Sequence, residues 1–254
     1  MPKRSNVYFD FEITRNGSHP NTEDDVWKGW PFGISAAAIR QNDSTAVYTY
    51  QQPVSSIYAV NETWDAALFS QRALSTHSAN VILNALLSFQ EDGNRVFAWN
   101  GVSFDWQLLA KLTGRWKEAT LGAKKSYDPM FQGLCLAGFP VKQESVAMAF
   151  GYPGKVISGG NAPQLWEDGL EDVVVDYVQG DVIMLERIVR SVERYGGLKW
   201  TSKGGSTMFT PFFPRHLLTV EQALELPLPD TSWAKDDGGL TVTREQFTDW
   251  FVEA

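Results

Sequence analysis

A short hydrophobic segment that carries two carboxylates is the strongest constraint on how this chain folds. Residues 7–13 (VYFDFEI) are β-branched or aromatic apart from Asp10 and Glu12, which is typical of a buried strand. Residues two apart in a strand project from the same face, so both acids point to one side and Phe9, Phe11 and Ile13 to the other. Buried carboxylates are costly unless a partner or a cation offsets their charge. We therefore expect a central strand with an acidic face; a strand with one solvent-facing polar side is the alternative.

A further acidic residue follows a second apolar strand. Residues 95–99 (RVFAW) predict a short buried strand, and residues 100–105 (NGVSFD) lead into a helix that we expect to begin near Ser103, with its hydroxyl as the cap. Asp105 then lies in the first helical turn, near the carboxyl end of the strand, where open α/β sheets place their sites. The alternative, if this motif is taken alone, is a favourable interaction of Asp105 with the helix dipole.

The longest predicted helix carries another acid. Residues 170–194 have apolar side chains at helical spacing, and Tyr177 and Asp181 are four residues apart, hence on one helical face. That face is otherwise Val, Ile and Leu, so we expect Asp181 to point inwards. The alternative is a hydroxyl–carboxylate hydrogen bond that only packs the helix.

The rest of the chain completes an α/β organisation. We predict a turn at 29–32, strands at 33–40, 46–51 and 120–127 (the last at an edge), an irregular segment at 53–65, two helices within 66–89, and short helices at 144–150, 220–225 and 244–251. Residues 196–254 are rich in Gly, Pro and Trp, and we expect them to wrap around the same domain.

Composition narrows the class of protein. The net charge of −8 argues against broad, non-specific attachment to duplex DNA. One cysteine, Cys135, excludes a disulfide within the chain and a cysteine-based zinc site, and the three histidines are not at metal-ligand spacing. The sequence shows no signal peptide and no apolar stretch of membrane-spanning length. We therefore expect a cytoplasmic protein without a membrane partner.

Convergence of Asp10, Glu12, Asp105 and Asp181 would create a site for hard divalent cations. Such carboxylates repel one another and need positive charge between them. Two Mg²⁺ ions about 4 Å apart are a common arrangement for phosphoryl transfer. Tyr177 can orient an attacking water beside them, although with a pKa near 10 it is a poor base at neutral pH.

Together these motifs resemble those of the DEDD 3′–5′ exonucleases of the tyrosine-containing branch, similar to the proofreading domains of family B DNA polymerases. The resemblance rests on residues 10–14 (DFEIT), 100–105 (NGVSFD), 150–155 (FGYPGK) and 177–181 (YVQGD), in the family's order. It implies a ribonuclease H-like three-layer α/β fold, with a mixed central sheet flanked by helices, over residues 1–195. Residues 196–254 are then a C-terminal extension of that domain.

The resemblance also implies roles for individual residues. Asp10, Glu12, Asp105 and Asp181 would hold two Mg²⁺ or Mn²⁺ ions, and Tyr177 would position the water. Asn100, Phe104 and Lys155 would contact the substrate.

The leading hypothesis is a metal-dependent nuclease, a hydrolase that releases nucleoside 5′-monophosphates from single-stranded 3′ ends, with DNA favoured. Two alternatives remain open. One is a nucleic-acid-binding module without turnover. The other is an RNA-trimming 3′–5′ exoribonuclease of the same branch, because discrimination between sugars depends on contacts to the 2′-hydroxyl.

Overall fold

A four-stranded mixed sheet forms the centre of the molecule. The computed structural model describes residues 5–14, 33–50, 72–155, 159–202, 204–232 and 242–253. The strand order is β3-β2-β1-β4, comprising β1 (Asn6–Ile13), β2 (Ile34–Gln41), β3 (Ser44–Thr49) and β4 (Arg95–Phe97). Strand β2 runs antiparallel to both β1 and β3, whereas β1 and β4 run parallel to each other. The mixed α/β class is as predicted, and the sheet is compatible with a ribonuclease H-like fold.

Helices and a second, two-stranded sheet surround this sheet. The helices are α1 (Thr76–Glu91), α2 (Asp105–Thr113), α3 (Trp116–Lys125), α4 (Pro129–Ala137), α5 (Gln143–Ala149), α6 (Ala162–Glu167), α7 (Glu171–Tyr195), α8 (Val220–Leu224) and α9 (Arg244–Thr248), with a 3₁₀ turn at Gly159–Asn161. The small sheet is an antiparallel hairpin of β5 (Gly197–Thr201) and β6 (Thr207–Pro211).

The two faces of β1 pack into different hydrophobic cores. Phe9 and Phe11 face a core formed with α1, α2 and α3. Tyr8 faces a second core formed chiefly with α7, and Asp10 and Glu12 share that face because they are two and four residues further along the strand. The predicted alternation is therefore present, with apolar contacts holding the strand from both sides.

A buried ion pair joins the sheet to α7. Arg40 of β2 donates from Nε to Glu186 Oε2 at 2.6 Å, and both side chains are at most 13% exposed. Glu186 also accepts from Arg190 at 2.6 Å. This pairing stabilises the position of α7 against the sheet, because separating the partners would leave a buried charge.

The predicted edge strand at 120–127 is wrong. Thr120 and Gly122 belong to α3, whose small residues allow close packing against Trp106 of α2. Tyr127 alone makes isolated bridges to Phe97 and Thr219. The strand prediction failed because the small residues indicate helix–helix contact only once the partner helix is known.

Helix α4, helix α6 and the hairpin of β5 and β6 were not predicted. Helix α4 begins after Asp128, whose carboxylate accepts a hydrogen bond from Phe131 N. Pro129 occupies the first helical position, and the helix ends at Gly138, which has a left-handed backbone conformation. These are strong helix start and stop signals. The hairpin of β5 and β6 lies in the region expected only to wrap. The predictions at 29–32, 53–65 and the first helix within 66–89 lie outside the described residues.

In the described part of the chain, no helix combines the length and apolar character needed to cross a membrane.

Two glycines inside helices provide a matched test of packing. An ideal Cβ at Gly122 would lie 2.6 Å from Trp106 Cη2, whereas at Gly180 of α7 it would meet no described atom within 4 Å. Alanine is favoured over glycine in helices by about 1 kcal/mol. We predict that Gly180→Ala raises the free energy of unfolding by about that amount.

At Gly122 the steric cost should exceed the helix preference, and Gly122→Ala should lower the free energy of unfolding by about 1–2 kcal/mol. Urea denaturation of both variants measures the difference. Equal stabilisation by the two substitutions would contradict the close packing of α3 on α2.

Candidate metal centre

Strand β1 and helix α7 bring three carboxylates together. Asp10, Glu12 and Asp181 each offer an oxygen, and these oxygens all lie within 4.8 Å of one another. On the neighbouring strand, Asp10 pairs with Ala38 and Glu12 with Ala36. The small alanine side chains leave room beside the acids. Glu12 and Asp181 are buried, and Asp10 is half-buried.

Asp105 approaches the cluster from the start of α2. It lies outside the group of three, yet it lines the same cleft and its charge raises the pKa of Asp10. Asp105 is 1% exposed, and its Oδ1 is buried with no hydrogen-bond partner in the described residues. Gly101 permits this approach, because a Cβ there would collide with Ala98 and lie 3.6 Å from Asp105 Oδ2.

The loop before Asp105 is fixed by hydrogen bonds. Asn100 adopts a left-handed backbone (φ 62°), which asparagine tolerates. Asp128 accepts from the backbone N–H groups of Asn100 and Val102 at 3.2 and 3.3 Å. Burial raises the pKa of Asp128 to about 6. Its contacts are structural, in agreement with its position as the cap of α4.

The prediction that Ser103 caps α2 is wrong. Its hydroxyl instead donates to Asn100 Oδ1 at 2.7 Å, and the residue that precedes the helix is Phe104, without a side-chain cap. The physical reason is position: the helix begins at Asp105, so Ser103 lies one residue before the capping position that Phe104 occupies. The hydroxyl therefore stabilises the turn.

Burial and mutual repulsion act together on the acids. Burial is the largest cause of the raised pKa of Asp10. The charges of Asp181, Asp105 and Glu12 raise the same pKa further. Burial likewise raises the pKa values of Glu12 and Asp105 well above their ordinary range. The cluster therefore favours bound protons or cations over four free negative charges.

Lys155 and Tyr177 stand beside Asp181. The Lys155 ammonium donates to Asp181 Oδ2 at 2.6 Å and to the Tyr177 hydroxyl at 3.0 Å. Burial, and then the nearby carboxylates, raise the pKa of Tyr177, so its hydroxyl stays protonated and hydrogen-bonds to Asp181. Tyr177 is thus suited to orient a ligand by hydrogen bonding rather than to act as a base.

The predicted residues share one cleft with a volume of about 760 Å³. Those that line it are Asp10, Glu12, Asn100, Phe104, Asp105, Lys155, Tyr177 and Asp181. The structure therefore places all eight predicted positions around one space, whereas their roles stay predictions.

Sequence reasoning missed several residues of this cleft, including Gln143, Glu144, Trp99 and Phe247. Gln143 donates to the backbone oxygen of Asp181 at 3.2 Å, and Glu144 accepts from Lys155 N at 3.1 Å. Trp99 and Phe247 also line the cleft. Helix α5, which carries Gln143 and Glu144, was predicted, but no local pattern indicated which of its side chains face the acids.

The donor set fits hard divalent cations. Carboxylate oxygens are the ligands that Mg²⁺ and Mn²⁺ prefer. The buried Asp105 Oδ1, which has no hydrogen-bond partner among the residues that the structure describes, is a further oxygen ligand in the same cleft. The Lys155 ammonium balances the charge of one carboxylate at most. The charges of the other carboxylates would be offset by bound cations.

The chain matches known proteins only at the level of solved structures. No protein-family model and no curated protein matches the chain. A family B DNA polymerase from the hyperthermophilic archaeon Pyrobaculum calidifontis is similar in structure, with a TM-score of 0.48 and 16% sequence identity. The similarity covers 77% of this chain and 25% of the polymerase, so this chain spans about a quarter of that protein's length.

Bound metal ions should offset the repulsion among the carboxylates of the cluster. Because the pKa of Asp10 is raised on folding, the folded chain binds protons more tightly than the unfolded one. The metal-free protein should therefore lose stability as the pH rises above about 4, the value at which unfolded Asp ionises. Asp10→Asn should reduce this loss and raise the melting temperature in EDTA.

Mn²⁺ at about 100 times its dissociation constant should stabilise the wild type by about 2.7 kcal/mol, and Asp10→Asn should lose most of this gain. Thermal denaturation with EDTA and with Mn²⁺ measures both effects. Asp43→Asn is the control, because Asp43 is 83% exposed and lies outside the cleft. An equal Mn²⁺ response in the wild type and Asp10→Asn would rule out Asp10 as a ligand.

Proposed function

We propose that this protein is a metal-dependent 3′–5′ exonuclease that releases nucleoside 5′-monophosphates from single-stranded DNA. The observation that carries the proposal is the meeting of Asp10, Glu12 and Asp181 within 4.8 Å, with Asp105 in the same cleft. The order and spacing of the motifs, similar to those of the tyrosine-containing DEDD exonucleases, also support it. Residues 1–195 would be the ribonuclease H-like catalytic domain, and residues 196–254 its extension.

In this proposal the four carboxylates hold two Mg²⁺ or Mn²⁺ ions. When bound, such ions activate water and stabilise the charge on the departing oxygen. Tyr177 orients the attacking water through its protonated hydroxyl. Lys155 fixes that hydroxyl and brings a positive charge to a phosphate oxygen. Asn100 and Phe104 position the terminal nucleotide from the other side of the cleft.

The buried setting makes these roles effective. Glu12 and Asp181 are held on a packed strand and a 25-residue helix, so their positions change little when substrate binds. Preorganised charges cost no reorganisation during the reaction and act more strongly where water is excluded. A binding module without turnover would not need four acids in a cleft that must accept a phosphate anion.

The decisive experiment uses single strands of DNA and RNA labelled at either end. We expect a 3′ label to be released at once as a mononucleotide, a 5′ label to give a ladder of shortened strands, and EDTA to stop both reactions. Asp10→Ala and Asp181→Ala should abolish release, and Asp43→Asn should leave it unchanged.

Normal turnover by both alanine variants would reject the site. Shortening of the 3′-labelled strand from its 5′ end would reject the polarity. Faster degradation of RNA than of DNA would favour the exoribonuclease, and binding without release in Mg²⁺ and Mn²⁺ would favour the binding module.

Tyr177→Phe tests the tyrosine separately. The substitution keeps the ring but removes the hydroxyl that contacts Lys155 and Asp181. We predict that kcat falls about 10- to 100-fold because the water is less well oriented. Stabilisation by Mn²⁺ should remain, because the carboxylates are intact. Unchanged kinetics would remove Tyr177 from the reaction.

A further inference from the structure

The C-terminal segment, residues 242–253, contributes a side chain to the carboxylate cleft. Phe247 of α9 lines the cleft, although α9 lies near the end of the chain, far from β1 and α7 in sequence. Phe247 is half-buried, and its ring packs against Phe131 with centroids 6.1 Å apart. Phe131 is fully buried. A fixed core residue therefore supports Phe247 from behind while the ring remains accessible from the cleft.

The same segment is attached to the loop that precedes Asp105. The Trp250 indole donates from Nε1 to the backbone oxygen of Val102 at 2.8 Å, and Trp250 is 7% exposed. Val102 donates its own N–H to Asp128. At the end of the segment, Val252 N donates to Thr120 Oγ1 at 3.3 Å. The loop and Phe247 are consequently held in one arrangement.

The lining of the cleft combines two kinds of chemistry. Carboxylates come from β1, α2, α5 and α7, and the Lys155 ammonium comes from the segment before the 3₁₀ turn. Aromatic and apolar side chains also line the cleft and include Trp99, Phe104, Met130 and Phe247. Acids that hold cations suit a phosphate group, and aromatic faces suit a planar ring. A ligand that carries both is a nucleotide.

We propose that Phe247 is a substrate-binding residue that stacks against the base of the 3′-terminal nucleotide. The C-terminal segment then completes the site as well as covering the domain. This inference rests on the proposed function. Stacking on an aromatic ring tolerates every base, because each base has a planar face, so Phe247 supports the removal of any terminal nucleotide.

The test compares two single-stranded oligonucleotides that differ only at the 3′ end. One ends in deoxyadenosine and the other in a stable abasic nucleotide with the same phosphate. Binding is measured by fluorescence anisotropy in EDTA, which needs no turnover, and KM and kcat are measured in Mn²⁺. The variants are Phe247→Ala, Phe247→Leu, which keeps most of the packing against Phe131, and the control Phe209→Ala. Phe209 is a 50% exposed aromatic residue on β6, away from the cleft.

We expect Phe247→Ala to weaken binding and raise KM about tenfold for the deoxyadenosine strand, as the loss of one base–aromatic stack implies. Phe247→Leu should also weaken binding and raise KM for the deoxyadenosine strand, by a smaller factor. Neither variant should differ from the wild type by more than about twofold on the abasic strand, and Phe209→Ala should match the wild type on both.

Two results would overturn the inference. One is wild-type affinity of Phe247→Ala and Phe247→Leu for the deoxyadenosine strand. The other is an equal loss on both strands, since the side chain would then support the cleft without contacting the base. Failure of the wild type to release nucleotides, with base-dependent binding intact, would reject the exonuclease and keep the Phe247 contact. Release of nucleotides by the wild type without dependence on Phe247 would keep the exonuclease and reject the Phe247 contact.

Discussion

Repulsion among buried carboxylates is the constraint on which the rest of this structure depends. Asp10, Glu12 and Asp181 lie within 4.8 Å of one another, and the charge of Asp105 reaches the same group. Bringing such groups together without a counter-charge costs free energy that the surrounding packing must offset. The two hydrophobic cores on either side of β1 supply that packing. The acids are therefore held in place by elements that pack into these two cores.

The four acids are attached to three rigid elements, one strand and two helices. Asp10 and Glu12 lie on a central strand paired on both sides, and Asp181 lies on α7, where Val178, Val182 and Leu185 are fully or almost fully buried. Asp105 begins α2 after a loop held by Asp128 and Trp250. Charges on such elements keep their geometry when the substrate changes, which is the condition for electrostatic catalysis.

The sequence predicted what depends on local periodicity. Alternation in residues 7–13 indicated that Asp10 and Glu12 share a face, and the spacing of four indicated that Tyr177 and Asp181 do. Contacts between distant parts of the chain were not predictable in the same way. The hydrogen bond from Trp250 to Val102 joins residues 148 positions apart. Likewise, Thr120 and Gly122 suggest a strand until the partner helix with Trp106 is known.

Lys155 explains how the folded chain tolerates its acids before any cation binds. Its ammonium contacts Asp181, so four ionised carboxylates would still leave three negative charges unbalanced. The raised pKa values of Asp10, Glu12 and Asp105 indicate that protons supply part of that balance. Cations that bind to these oxygens must displace those protons, so affinity for divalent cations should increase with pH. In the proposed metal site, the same oxygens would thus exchange protons for cations.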